Sequence, residues 1–408
     1  MKKCKRWICG ALLIGLGLQL AACAAAPAAE QTEPEQTVIR ETVSDEEAAV
    51  AAANFSVALL QNSSFADKNC ILSPYSVLIA MAMSANGAEG NTLAQIEAAF
   101  GMSIDDLNRW LSSACEQSGA ELVSANSIWF RQEEGFEPSP EFVQTNEDAF
   151  DARIASAPFD SQTLEEINRW VSEQTDGRIP SILDSLSNEA LMVLVNALTF
   201  DAAWQTPYTE DALFDGQFTA ADGTAQEVTM MRGKERFFLD DGKATGFVKN
   251  YEGERYSYVA LLPNEGVSME EYVASLTGEK LLALIDHASE ETVNTVMPAY
   301  QAETFADMSD TLQAMGITEA FSPNADFSGI DDVPMCIGQV LHKTCLKVHA
   351  KGTEAAAATA VTMEKTAMIN RESKEVILNR PYVMAIVDRE TNAIVFLGVV
   401  NSIDNSDG

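Results

Sequence analysis

Lys351-Gly352-Thr353-Glu354-Ala355-Ala356-Ala357-Ala358-Thr359-Ala360 decides how this chain is read. Taken alternately, Thr353, Ala355, Ala357, Thr359, Val361 and Met363 make one face, small at first and then apolar. Glu354, Ala356, Ala358, Ala360, Thr362 and Glu364 make the other, small with polar ends. That alternation is the pattern of a half-buried strand, yet Ala is a poor strand residue and a good helix former. On this segment alone two readings stay open: a loop able to become a strand, and an ordinary Ala-rich helix capped by Thr353.

Outward from the segment the patterning is firmer. A predicted strand over 340–349 leads into it, and strands over 382–388 and 393–400 follow it. Towards the N-terminus, helical spacing of apolar residues predicts a helix over 45–61. Ser73-Pro74-Tyr75-Ser76 opens another to about Asn86, with Ser73 suited to the cap and Pro74 to the first helical position. Short helices run on to Cys115, a strand is read over 122–130 and a helix over 164–174. The near-continuous apolar run 191–200 predicts a strand covered on both faces. Strands then dominate, at 227–232, 237–239, 244–250, 256–262 and 292–298, with helices at 269–275, 280–286 and 308–315. Helices early, strands late and no alternating strand–helix rhythm predict an α+β domain with large antiparallel or mixed sheets.

The start of the chain reads as an address, not as fold. Lys2, Lys3, Lys5 and Arg6 precede an apolar run from Ile8 to Leu20, and Leu20-Ala21-Ala22-Cys23 follows. This is an export signal over 1–22, too short for a comfortable membrane span. The Leu-Ala-Ala-Cys sequence resembles the lipobox of bacterial lipoproteins, which implies lipidation of Cys23 and tethering by acyl chains. The alternative is a plain secretory signal with Cys23 near its cut. Residues 23–44 are rich in Ala, Glu, Gln, Thr and Pro and read as a flexible spacer. A single domain is expected over 45–404, at an exported, membrane-anchored site on the cell surface or in the extracellular or periplasmic space.

The 408 residues carry a formal charge of −35, which argues against nucleic acid, heparin-type polyanions and anionic lipid surfaces as partners. Of the cysteines, Cys70, Cys115, Cys336 and Cys345 belong to the domain; they lack CxxC spacing and read as mostly buried thiols with room for one bridge. Enzyme signatures are missing: no Gly-x-Ser-x-Gly elbow, no His-Glu-x-x-His, no phosphate-cradling loop, no calcium loop. His342 and His349 lie seven apart on one predicted strand, so they face opposite ways and do not chelate one metal. No cofactor and no metal are expected.

Several motifs in order resemble the serpins over nearly all of 45–403. They are Ser73-Pro74-Tyr75-Ser76; 194–200 (LVNALTF) with Trp204 eight residues past Asn196; 312–321 (LQAMGITEAF) followed by 325–330 (ADFSGI); His342-Lys343 ten residues before Gly352; Asn379-Arg380-Pro381-Tyr382; and 396–401 (FLGVVN). The resemblance implies three β-sheets, about nine helices and an exposed reactive-centre loop at about 350–378. It implies a monomeric inhibitor, not an enzyme, that traps a target serine protease: the protease cuts the loop, and the cut loop enters the main sheet as a new strand. Strand addition of this kind supplies the driving energy in that family.

On this resemblance Gly352, Thr353, Glu354, Ala355, Ala356, Ala357, Ala358 and Thr359 are the loop hinge, and their small inward face suits sliding between packed strands. Ser73, Ser76, Asn196, His342 and Trp204 are the network that lets the sheet open. Ala350 and His349 depart from the acidic residues usual there, which implies a weaker hold on the loop base. Counting from Gly352 puts the scissile bond at Thr366–Ala367, while counting back from Pro381 points to Asn370. Thr366–Ala367 beside Met363 and Met368 suits an elastase- or subtilisin-like target. Lys365–Thr366 would suit a trypsin-like one, and Met368–Ile369 a chymotrypsin- or cathepsin G-like one. Papain-like cysteine proteases are a further class of target, and a surface binding lipoprotein that traps nothing is the competing reading.

Overall fold

The computed structural model describes residues 42–65, 68–132, 136–186, 191–353 and 373–403. Ser44 opens helix α1 (Asp45–Gln61) through a reciprocal capping box with Glu47, whose backbone N–H donates to Ser44 Oγ at 3.3 Å. After β1 (Cys70–Leu72) comes α2 (Pro74–Ala85), with Ser73 as its cap and Pro74 at its first position. All 12 residues of α2 are buried, as suits a helix without a charged face.

The chain continues through α3 (Gly90–Phe100), α4 (Ile104–Gln117), β2 (Leu122–Arg131), α5 (Pro140–Phe150), β3 (Arg153–Ala157), α6 (Ser161–Gln174), β4 (Met192–Phe200) and β5 (Ala202–Ala203). Next come β6 (Leu213–Thr219), β7 (Ala225–Asp240), β8 (Ala244–Asn250), β9 (Tyr256–Pro263), α7 (Met269–Ser275), α8 (Gly278–Asp286), β10 (Ser289–Pro298), β11 (Tyr300–Asp307) and α9 (Ser309–Ala314). The last elements are β12 (Leu341–His349), β13 (Gly352–Thr353), β14 (Lys374–Ile377), β15 (Tyr382–Asp388) and β16 (Ile394–Val400).

Three sheets result. One runs β1-β16-β15-β9-β8-β7-β10-β14 with β6 also on β7; the others are β11-β12-β13-β5 and β3-β2-β4. The α+β expectation therefore holds, with nine α-helices among the described residues. The main core lies under α1 and α2, and a smaller one under α6 packs Ile167 and Val171 on Trp129 and Val195. Gly398 shows why the 396–401 motif needs glycine: a Cβ there would stand 2.3 Å from the Cys70 carbonyl oxygen of the neighbouring strand.

The structure corrects several boundaries. The strands expected at 227–232 and 237–239 are one strand, β7. Gly233 reads as a break but serves close approach, since a Cβ there would meet the Tyr208 ring at 2.9 Å. Helix α5 and strands β1, β3, β6, β11 and β14 were not expected. No disulfide joins the four thiols, and only Cys70 is fully buried; Cys115, Cys336 and Cys345 are half-buried.

Candidate functional site

Two parallel strands that share a single bridge form the centre of the site. Leu194 on β4 bridges Val340, just before β12, and no other pairing joins the two strands among the described residues. Further up, β13 lies between them: Gly352 pairs with His349 and Ala203, and Thr353 with Val348 and Ala202. The offset is the same at both places, because 348 minus 202 and 340 minus 194 are each 146. A strand of matching length can therefore lie between β4 and β12 without either sliding along the other.

The upper end of this seam is closed by aromatic side chains and backbone. Thr353 is fully buried, and its Oγ1 lies 2.7 Å from the Tyr251 hydroxyl. Burial keeps the Tyr251 phenol neutral far above its ordinary range, so it remains a donor as well as an acceptor. Tyr251 stacks on Trp204 with ring centres 4.4 Å apart. Trp204 Nε1–H donates to the His349 carbonyl at 2.9 Å, its backbone N–H to Lys351 at 2.9 Å, and the Tyr208 N–H to Ala350 at 2.8 Å. Main-chain carbonyls thus hold the loop base, which explains how it can be held although His349 and Ala350 supply no acidic side chain. Beneath it Lys249 Nζ, buried 4.4 Å from the Tyr208 ring centre, donates to Glu235 at 2.8 Å. Burial raises the Glu235 pKa, and the ammonium opposes that rise.

The middle of the seam is tied through the first turn of α2. His342 on β12 accepts the Ser73 N–H at Nε2, 3.0 Å away, meeting a donor that a helix cap leaves without an intrahelical partner. Burial lowers the His342 pKa to about 4, so the ring is neutral at pH 7. From β4, Asn196 accepts from Ser76 Oγ and donates to Asn126 on β2, which in turn donates to the Phe150 carbonyl at 2.8 Å. Asn196 and His342 are thus bound from opposite sides of the seam to one helix start. Ser73, Ser76, Asn196 and His342 come together here, and Trp204 lies apart at the upper end. Sequence reasoning missed Tyr251, Tyr208, Lys249 and Asn126; aromatic and polar residues inside strands carry no local mark of what they face.

Of the hinge residues, only Gly352 and Thr353 can be described. Glu354, Ala355, Ala356, Ala357, Ala358 and Thr359 lie outside the described residues, as do Lys365, Thr366, Ala367, Met368 and Cys23. Among the described residues no group of three or more His, Cys, Asp or Glu is placed to hold a metal.

Residues 50–403 match the family model described as Serpin (serine protease inhibitor). The chain belongs to the serpins. It is 31% identical over 354 residues to the leukocyte elastase inhibitor of Bos taurus, covering 82% of this chain and 93% of that protein. Against an uncharacterized serpin-like protein of Thermococcus kodakarensis it is 31% identical over 345 residues, covering 81% and 80%. Among solved structures, the thermophilic serpin tengpin in its native state superposes with TM-score 0.83 at 39% identity, over 90% of this chain and 96% of that one. Tengpin in its latent state gives 0.77 over 90% and 100% of the chains at 36% identity, so this serpin is the more similar to the native form. Human thyroxine-binding globulin, solved with its hormone, superposes at 0.78 with 25% identity, over 88% of this chain and all of that one. Serpins are generally protease inhibitors, and that globulin shows that the fold also serves binding.

Proposed function

We propose that this serpin is a suicide-substrate inhibitor of serine endopeptidases, elastase- or subtilisin-like by its loop sequence. The observation that carries the reading is the seam: equal offset at both ends, with Thr353 already paired between its strands. Carrying that register onward puts Ala355 between Phe200 and Leu346, Thr359 between Asn196 and His342, and Val361 between Leu194 and Val340. Small residues meet the crowded upper half, and a hydroxyl meets the polar pair that the new strand would separate. Each buried polar group then keeps a partner.

The same register favours one of the two scissile counts. Pairing against β4 runs out at residue 363, opposite Met192, so Thr366 stands three residues past the end of the seam. A cut at Asn370 would leave seven residues of slack, roughly 23 Å of extended chain, and a protease on so long a tether is not pressed against the inhibitor. The protease serine Oγ attacks the Thr366 carbonyl carbon, and the bond to the Ala367 nitrogen breaks. The Ala367 amine leaves with the proton, and the ester persists because insertion carries the protease away before water reaches it. Kinetic trapping of this sort depends on barriers, not on equilibrium affinity.

Incubation with elastase, subtilisin and trypsin, followed by denaturing electrophoresis, tests this. The expected result is a complex that survives denaturation, with release of a C-terminal peptide beginning at Ala367. If every protease cleaves and turns over, the chain is a binding protein, the function that the likeness to thyroxine-binding globulin favours. The signal at 1–22 and the Leu-Ala-Ala-Cys sequence support export and anchoring through acylated Cys23. Incorporation of labelled fatty acid that is lost in Cys23→Ala is the expected result.

A further inference from the structure

Where β7 and β8 part, side chains take over from the backbone ladder. The ladder that starts at their hairpin ends with Phe237 opposite Val248, and just past it Lys249 Nζ donates to Glu235 at 2.8 Å. Only 2% of the lysine side chain and 11% of the glutamate side chain are exposed. The cost of taking two charges out of water largely offsets their attraction, so a buried pair is a weak stabiliser, and apolar residues of like volume often serve a fold as well. What the pair supplies is direction: with one N–H of the ammonium fixed on a carboxylate, the others are aimed.

They are aimed at the turn that closes the upper end of the seam. Lys249 Nζ donates to the Thr206 carbonyl at 3.1 Å and lies 5.3 Å from the Trp204 ring centre and 4.4 Å from that of Tyr208. Thr206 stands midway between the two residues whose backbone N–H groups hold the Lys351 and Ala350 carbonyls. Gln205 and Thr206 are exposed, so packing does not fix this stretch, and Pro207 has no N–H to offer. Gln205 is tied to β8 by its own N–H, which donates to the Asn250 carbonyl at 3.0 Å. Among the described residues, the bond from Lys249 is the only hydrogen bond that Thr206 makes.

We propose that Lys249, held by Glu235, is a positioning residue for trapping: it fixes the 204–208 turn, whose N–H groups keep the loop base fastened while the loop is uncut. The part in trapping rests on the inhibitory reading above; the hold on the turn does not. Lys249 acts through Trp204 and Tyr208 and touches neither the protease nor the hinge. Without the ammonium the fold stands, but the turn loses its centre and the two N–H groups drift from the carbonyls of 350 and 351. The uncut hinge is then free to leave its place, and an inhibitor that has lost that place traps nothing.

The test compares the full chain with the double variant K249M/E235L, which removes both charges together so that neither is left buried alone. Urea unfolding is expected to give the wild-type midpoint. Amide exchange read by mass spectrometry is expected to run several times faster over 202–208, and at the wild-type rate over 382–388. Kept uncut well below its unfolding temperature, the variant is expected to lose its capacity to trap protease several times sooner than wild type. A much lower urea midpoint would make the pair a prop of the whole fold and overturn the positioning role. Unchanged exchange over 202–208 would mean that Lys249 does not hold the turn. Faster exchange with trapping retained as long as in wild type would remove the turn from trapping and leave the inhibitory reading standing. A wild type that traps no protease overturns that reading and the part in trapping with it, while exchange still decides whether Lys249 holds the turn.

Discussion

The two ends of the β4–β12 seam are held in opposite ways. At the top the hinge is already in place: Thr353 is buried between the strands, and three hydrogen bonds to the main-chain carbonyls of 349–351, one from the Trp204 indole and two from backbone N–H groups, fasten them to Trp204 and Tyr208. In the middle no described residue lies between the strands, and Asn196 and His342 are each tied to the start of α2. On the proposed insertion, a strand entering from the top would find its first pairing already made at Gly352 and Thr353. It meets a polar network that has to exchange partners further down. Initiation and opening are separate events in this architecture, and each can be broken alone.

Thr353→Arg breaks the upper event and has the largest expected effect. Thr353 is fully buried against the Tyr251 hydroxyl, so a guanidinium has no room there, and burying a charge costs several kcal/mol unless it is paired. The hinge would be expelled and could not re-enter. Cleavage by the target should continue while the denaturation-resistant complex disappears from the gel. Undiminished trapping by this variant would mean that the pairing of β13 has no part in the mechanism.

Acid should act on the middle alone. A histidine whose folded pKa is about 4 and whose unfolded value is 6.5 binds a proton on unfolding anywhere between them. Its contribution is full above pH 6.5 and declines as the pH falls towards 4. The shift corresponds to about 3 kcal/mol once the lower value is passed. Denaturant unfolding at pH 7 and pH 4, in wild type and in His342→Gln, measures that share. The variant should be less stable at pH 7 but lose less on acidification, the difference being the histidine's part. An equal acid loss in both proteins would assign it to the carboxylates.

What could be read beforehand divides along the same line. The cap of α2, the strands β12, β15 and β16 and the buried run of β4 are local patterns, and they are legible because period and capping chemistry sit within a few residues. Helix α5 carries the same Ser-Pro opening at Ser139-Pro140 as α2, so its signal was present and passed over. Strand β11 alternates polar and apolar residues without a strong apolar run, and β14 is four residues long. The seam itself is a relation between strands 146 positions apart, and only folded pairing reveals that its two ends agree. Resemblance to a family could name Ser73, Ser76, Asn196 and His342; it took the structure to show that α2 is what ties them.

Trp204→Phe sharpens the comparison with the smallest effect. The substitution keeps an aromatic ring to stack on Tyr251 and removes one donor, leaving the His349 carbonyl short of its partner. The loss is expected to be about 1 kcal/mol, the net worth of an ordinary hydrogen bond. The bonds to Lys351 and Ala350 come from the main chain of residues 204 and 208 and survive the change. Stability in urea should therefore drop slightly while the amount of inhibitor consumed per trapped protease stays at the wild-type value. If trapping fails along with that small loss of stability, the indole N–H is the fastening of the loop base, and the redundancy of the backbone contacts is illusory. If trapping holds, the upper end owes its closure to the main chain, which is why this serpin can carry His349 and Ala350 at a place where its family usually keeps acidic side chains.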